Sequence, residues 1–258
     1  MNVVKEGDLV LIVVGEKRKF VIKVERGKIL GTDIGYILHD ELIGKPYGSR
    51  IETSTGLKAL VLKPIRQDYY SRGFARATQV IHPKDVALVI YLSGIGPGSR
   101  VGEAGVGSGM LTLAIASIIG KSGRLYGFDT SERALECARA NVEKAGFADI
   151  VVLEKRDVRE ELETEPLDAF FLDIPDPWNA LKSVSKVLKP SGTLLIYVPT
   201  MNQVEKTVLA LRESGLYADI KALEVMLREL HVERGAVRPA TCMIGHTGYI
   251  VFARRLLD

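Results

Sequence analysis

Arg100-Val101-Gly102-Glu103-Ala104-Gly105-Val106-Gly107-Ser108-Gly109-Met110 reads as a buried strand, Arg100–Ala104, that breaks into a glycine turn and opens a helix, Met110–Ile119. Glycine lets the backbone bend sharply and lets a ligand approach the chain, while free N–H groups at a helix start bind polar ligand atoms. Two kinds of cofactor use such a turn, and spacing separates them. The dinucleotide fingerprint G-x-G-x-x-G/A asks for a small third residue. After Gly105 and Gly107 that position holds Met110, which obstructs the close helix contact. The pattern present is G-x-G-x-G.

Downstream, strands and helices alternate. Strands are expected at Arg124–Phe128, Ile150–Leu153, Ala169–Ile174 and Thr193–Val198, and two more near Ile220–Arg228 and Gly248–Ala253. Helices are expected from a Thr130 or Ser131 cap to about Ala145, near Trp178–Leu188, and over Gln203–Ser214. That alternation implies a parallel sheet covered on both faces, an α/β fold. Asp129 ends the second strand, where a carboxylate can accept bonds from both hydroxyls of a ribose, or can cap the helix that follows. Asp157-Val158 follows the third strand, suited either to an adenine amino group or to an ordinary acidic helix start. Asp173 ends the next strand, before Ile174-Pro175-Asp176-Pro177-Trp178, and faces the crevice in which such sheets bind ligands. The prolines stiffen that loop. Trp178 could stack on a base or simply pack.

Upstream, residues 8–63 read as short strands, Leu9–Val14 and Phe20–Val24 flanking the turn Gly15-Glu16-Lys17-Arg18, with further glycines marking turns. A small β-barrel or sandwich is expected over residues 1–66. Residues 67–77 would be a connector, basic and aromatic residues interleaving along 63–76, and 78–258 the second domain. Residues 1–66 carry 12 Lys+Arg against 8 Asp+Glu, and residues 67–258 carry 23 against 24. A surplus on the smaller part suits an anionic partner such as RNA, and equally suits mere solubility.

Other classes are excluded. With 258 residues, 47% hydrophobic and 26% charged, the chain can bury a core and is not disordered as a whole. No apolar run approaches the ~20 residues of a membrane span. The start, MNVVKEGDLV, lacks a secretory layout, so a cytoplasmic protein is expected. Two cysteines, Cys137 and Cys242, make neither a disulfide framework nor a CxxC pair. Gly120-Lys121-Ser122 imitates a P-loop ending, but Ile115 stands at its first glycine. G-x-S-x-G, HExxH and zinc-deaminase patterns are absent, and four dispersed histidines imply no metal site.

The G-x-G-x-G turn resembles the nucleoside-binding loop of class I S-adenosylmethionine-dependent methyltransferases. Taken with Arg76-Ala77-Thr78-Gln79-Val80-Ile81-His82-Pro83-Lys84-Asp85, Asp173–Trp178, Arg238-Pro239 and His246-Thr247-Gly248-Tyr249, the whole chain resembles the tRNA (adenine-N1)-methyltransferases that modify the T-loop, of the archaeal and bacterial homotetrameric type. The resemblance implies a Rossmann-like class I sheet preceded by a small all-β domain that touches tRNA. It implies S-adenosyl-L-methionine as cofactor, tRNA as partner, a homotetramer, and no metal or membrane. Gly105, Val106, Gly107, Ser108 and Gly109 would contact the cofactor, with Thr78, Gln79 and Val80 at its methionine end. Asp129 would hold the ribose, where the family more often has Glu, and Asp157 with Val158 would bracket the adenine. Asp173 would be the active-site carboxylate. His82, standing where many members carry Tyr, together with Arg238, His246 and Thr247, would meet the substrate.

The implied reaction moves a methyl group from a sulfonium to N1 of adenine 58, with adenine 57 as a further candidate. N1 of neutral adenine carries a lone pair and no proton, so attack needs no strong base. Positive charge develops on the purine instead, and Asp173 can accept a hydrogen bond from its exocyclic amine. The adenine must be extruded from the T-loop and stacked, for which His82 and Tyr197 are the candidates. The rivals are a nicotinamide-dependent oxidoreductase, disfavoured by Met110, a methyltransferase of tetrapyrrole precursors, and a non-catalytic RNA-binding relative.

Overall fold

The computed structural model describes residues 2–15, 18–70 and 73–257. Glu16 and Lys17 of the first turn, and Ser71 and Arg72 of the basic-aromatic stretch, lie outside the described residues. The chain divides into two units, Met1–Ala75 and Arg76–Asp258.

The first unit contains β1 (Leu9–Val14), β2 (Arg18–Lys23), β3 (Ile29–Thr32), β4 (Gly35–Leu38), β5 (Ser49–Glu52) and β6 (Lys58–Leu62). Four strands form an antiparallel sheet in the order β2-β1-β6-β5, and β3-β4 is a separate hairpin. Val10, Ile12 and Val14 alternate along β1 into a core with Phe20, Ile37, Leu42 and Val61. No pairing joins β2 to β5 among the described residues, so the sheet is open where a barrel would be closed. A 3-10 turn at Arg66–Tyr70 packs on β2, and the unit therefore runs to Ala75, past the expected start of a connector.

The second unit opens with α1 (Pro83–Ser93), for which the sequence reading assigned no element. Its signals are local. His82 caps it, Pro83 sits in the first turn, and Asp85, Val86, Val89 and Ser93 are buried at helical spacing. Then follow β7 (Arg100–Ala104), α2 (Met110–Ile119), β8 (Arg124–Asp129), α3 (Glu132–Ala145), β9 (Val151–Lys155) and β10 (Leu167–Leu172). The chain continues through α4 (Leu181–Val187), β11 (Leu188–Val198), α5 (Met201–Ser214), β12 (Tyr217–Leu223), β13 (Leu230–Glu233), β14 (Ala236–Pro239) and β15 (Tyr249–Arg255). Ser131, the expected cap of α3, accepts from Ala134 N at 3.3 Å. The helix expected near Trp178–Leu188 begins as a 3-10 turn over Pro177–Ala180 before α4. The strand expected near Ile220–Arg228 is instead β12, whose pairing with β15 ends at Leu223↔Ile250. The chain then leaves the sheet and folds into the hairpin β13-β14.

The sheet order is β12-β15-β11-β10-β7-β8-β9, with only β15 antiparallel to its neighbours. Phe170 and Phe171 of β10 are fully buried at its centre. From β7 the chain first builds outward through β8 and β9, then crosses to β10 and builds the other way. Strand order therefore reverses between β7 and β10. Beyond the carboxyl ends of the two strands at such a reversal a crevice opens, because the following connections diverge to opposite faces.

Candidate active site

Gly105 and Asp173 face each other at that reversal. Asp173 N donates to Ala104 O at 2.8 Å, which carries the β7–β10 pairing one residue past the strands. Gly105 has φ +81°, and a Cβ there would fall on the Asp173 carbonyl oxygen. Only glycine fits.

Two connected clefts share Gly105, Asp129 and Asp173. One, of about 500 Å³, is lined also by Phe128, Asp157, Val158 and Arg159. The other, of about 600 Å³, is lined by Thr78, Gln79, Val80, His82, Tyr197, His246 and Thr247. Gly107 also lines the second cleft. The remaining loop residues lie beneath the surface. Val106 is buried against Gly127, and Gly109 caps α2. Ser108, expected as a cofactor contact, is 1% exposed; its Oγ accepts from Ala77 N (2.9 Å) and Thr78 N (3.0 Å), so its side chain anchors the 77–80 segment. Arg238 does not line either cleft. It stands on the exposed β14 and donates to Thr241 Oγ1 at 3.0 Å.

Asp129 Oδ2 accepts from Gly107 N at 2.9 Å and Oδ1 from Ser131 N at 2.8 Å. Each oxygen keeps a lone pair for a further donor, so the cap and ribose readings are compatible. Both Asp157 oxygens are taken by Arg159, at 2.5–3.0 Å, and Arg159 also reaches Asp176 Oδ2 at 3.0 Å. Arg159 thus holds the Asp157 carboxyl below its ordinary range and straps the β9 and β10 loops together. An adenine amine can reach Asp157 only as Arg159 turns aside, and a half-exposed ion pair gives way at small cost.

Two carboxyls are pushed the other way. Burial, reinforced by the charge of Asp129, raises Asp173 to about 6. Burial, with Asp173 and Asp129 adding to it, raises Glu103 to about 8. Glu103 Oε2 is buried and has no hydrogen-bond partner among the described residues. Three neighbouring carboxyls under a glycine loop, one of them with an orphaned buried oxygen at Glu103, fit a cationic nucleoside cofactor, whose charge would relieve both shifts.

The second cleft is polar at its rim. His246 places Nδ1 2.9 Å from Glu224 Oε1 and Nε2 2.9 Å from Pro199 O. Both partners only accept, so this geometry favours the doubly protonated ring; Glu224 and the Pro199 carbonyl raise its pKa. This clamp holds below the raised pKa and loosens as pH climbs through it. Tyr197 is pushed up to about 12 by burial, so its hydroxyl stays protonated. Glu103, Lys84, Asp85 and Arg159 were given no individual role in the sequence. Glu103 ends a buried apolar strand, and Lys84 and Asp85 close the 76–85 motif; only Arg159 left no signal. Among the described residues no His, Cys, Asp or Glu cluster could hold a metal ion.

The seven-stranded order with its glycine turn, strand-end acids and split cleft defines a class I S-adenosylmethionine-dependent methyltransferase. The comparisons narrow this. The family described as "tRNA methyltransferase complex GCD14 subunit" matches residues 60–238, and "TrmI-like N-terminal" matches residues 3–51. A tRNA (adenine(57)-N(1)/adenine(58)-N(1))-methyltransferase TrmI from Methanocaldococcus jannaschii is 32% identical over 94% of both chains. The crystal structure of the tRNA (m1A58) methyltransferase TrmI from Aquifex aeolicus superposes with a TM-score of 0.81 at 30% identity, over 100% of both chains. One described as a SAM-dependent O-methyltransferase from Thermotoga maritima gives 0.88 at 31% identity, over 100% of this chain and 96% of that one. The chain belongs to the tRNA (adenine-N1)-methyltransferase family.

Proposed function

We propose that this protein transfers a methyl group from S-adenosylmethionine to N1 of the T-loop adenine at position 58 of tRNA. The observation that carries the reading is Asp173. It stands at the sheet reversal between a carboxylate-lined cofactor cleft and a second cleft walled by His82 and Tyr197. The bound cofactor supplies an electrophilic methyl on a sulfonium. The chain does the rest. Asp129 and the glycine turn hold the nucleoside end, and Gln79 and its neighbours close the methionine end. His82 and Tyr197 hold the flipped purine, and Asp173 accepts from its exocyclic amine, aligning N1 and offsetting the charge that develops on the ring. The test is incubation with unmodified tRNA and labelled cofactor, followed by nucleoside mass spectrometry of positions 57 and 58. Unlabelled adenine at both positions would overturn the reading.

The ionised form of Asp173 is the competent one. kcat/KM is therefore expected to fall as pH drops below about 6. The limb belongs to this residue, so Asp173→Asn should show low but flat activity across it. A pH–rate profile on both proteins checks this.

The basic surplus of the first unit supports contact with RNA phosphates, weakening as salt rises. The hairpin β13-β14 supports the homotetramer. Leu230 and Val232 lie opposite Pro239 and Val237 on one face, and His231 and Glu233 lie opposite Arg238 and Ala236 on the other. Alternation of this kind belongs to a half-buried sheet, yet all eight residues are exposed. A lone hairpin is marginal in water, so a second copy of the chain covers the apolar face. Val232→Glu with Val237→Glu should reduce the mass seen by ultracentrifugation, and an unchanged mass would rule the hairpin out as the contact. No described helix is long and apolar enough to cross a membrane. A cytoplasmic enzyme is the reading that fits a tRNA substrate.

A further inference from the structure

Beneath the second cleft lies an ion pair that none of the roles above uses. Lys84 and Asp85, in the first turn of α1, have side chains 4% and 0% exposed. The Lys84 ammonium spends its three protons on Asp85 Oδ1 (2.8 Å), Val225 O (2.6 Å) and Thr247 Oγ1 (2.7 Å). The Thr247 hydroxyl in turn donates to Asp85 Oδ2 at 2.6 Å, and the Tyr197 hydroxyl makes a longer contact to the same oxygen, 3.5 Å. Four stretches of chain meet at one pair of charges: the start of α1, the end of β11, the segment after β12 and the segment before β15.

Three of the residues so joined form the acceptor side of the site. His82, whose Nδ1 accepts from Lys84 N at 3.4 Å, lines the second cleft together with Tyr197 and Thr247. The ring of Tyr197 also packs on Gly248, where a Cβ would collide with it. Stability alone does not account for such a pair. Desolvating two charges costs about as much as their attraction returns, and an apolar pair of equal volume often does better. What charges and hydrogen bonds supply, and methyl groups do not, is direction.

We propose that Lys84 and Asp85 are positioning residues for methyl transfer: they lock the Tyr197–Thr247 wall to the His82 turn and thereby set the purine against Asp173. The inference rests on reading the second cleft as the adenine site. The pair touches neither cofactor nor acceptor.

The variant Lys84→Met with Asp85→Asn removes both charges and leaves neither partner alone. Thr247→Val removes only the bridging hydroxyl at constant shape. Each is tested for cofactor affinity by calorimetry and for single-turnover methyl transfer at saturating tRNA, expressed per cofactor-occupied site. The expected result is a cofactor Kd within about two-fold of wild type and a single-turnover rate at least ten-fold lower, because a displacement of about 1 Å can cost a hundred-fold. A purely structural role would lower the melting temperature and the fraction of occupied sites, leaving the rate per occupied site unchanged. Such an unchanged rate, in the double variant or, where that variant does not fold, in Thr247→Val, overturns the proposal. Wild-type methylation of the same tRNA is measured alongside. Its absence would sink the adenine-site reading itself, whereas a wild-type rate with unaffected variants would sink only the role of the pair.

Discussion

Asp173→Ala is expected to bind S-adenosylmethionine with reduced affinity and to transfer methyl on the order of 10²–10³-fold more slowly, the usual loss when one preorganised electrostatic contact to a transition state is removed. The carboxylate is the acceptor for the purine amine and the nearest anion to the charge that builds on the ring. Its elevated pKa adds a second signature. A carboxyl raised from 3.8 to about 6 in the fold contributes stability only while protonated and loses it as pH rises through 6. At neutral pH the ionised group therefore strains the folded state, and Asp173→Asn should melt no lower than wild type while losing activity. Single-turnover rates and thermal melts at pH 7.5 read both effects. Near-normal transfer by the alanine variant would refute the assignment, and a fall in melting temperature for the asparagine variant would contradict the charge argument.

Gly105→Ala is expected to do comparable damage through the backbone. The residue must adopt φ +81°, and its Cβ would meet the carbonyl oxygen of Asp173 across the β7–β10 reversal. Left-handed strain and the forced separation of two paired strand ends together should cost roughly 2–4 kcal/mol of stability. The same separation displaces Asp173 and the glycine turn from each other, so cofactor affinity should drop by at least ten-fold. Urea denaturation and calorimetric titration check these figures. A variant with wild-type affinity would mean that the close approach at this point is not what shapes the cleft.

The second unit was legible in the sequence because its signals are short-range. The strand at Arg100–Ala104, the glycine turn and the helix from Met110 lie within twenty residues, and each follows from local pattern. Asp129 and Asp173 could be placed at the carboxyl ends of strands for the same reason. What local pattern left unread gathers where a distant partner decides the outcome. α1 carries a cap and a proline, but its buried face acquires meaning only against the sheet. The strand near Ile220 stops at Leu223 because β15, more than twenty residues on, ceases to pair there. Ser108 looked like a ligand contact in the glycine loop, yet its hydroxyl is claimed by backbone N–H groups some thirty residues upstream. Arg238 was grouped with His246 and Thr247 by motif; within one chain hairpin register places it opposite His231 on β14, away from both clefts.

By itself the sequence determined the α/β order, the kind of cofactor turn and the carboxylate at its centre, since backbone geometry and hydrophobic period are properties of neighbouring residues. Only the tertiary structure decided how the acceptor side is assembled. Lys84 meets Val225 and Thr247 across 141 and 163 positions, and Asp85 meets Thr247 across 162. Hydrogen bonds reach about 3 Å in space whatever the distance along the chain. Such contacts leave no periodic trace in a sequence, and they exist only once the sheet has brought its far ends together.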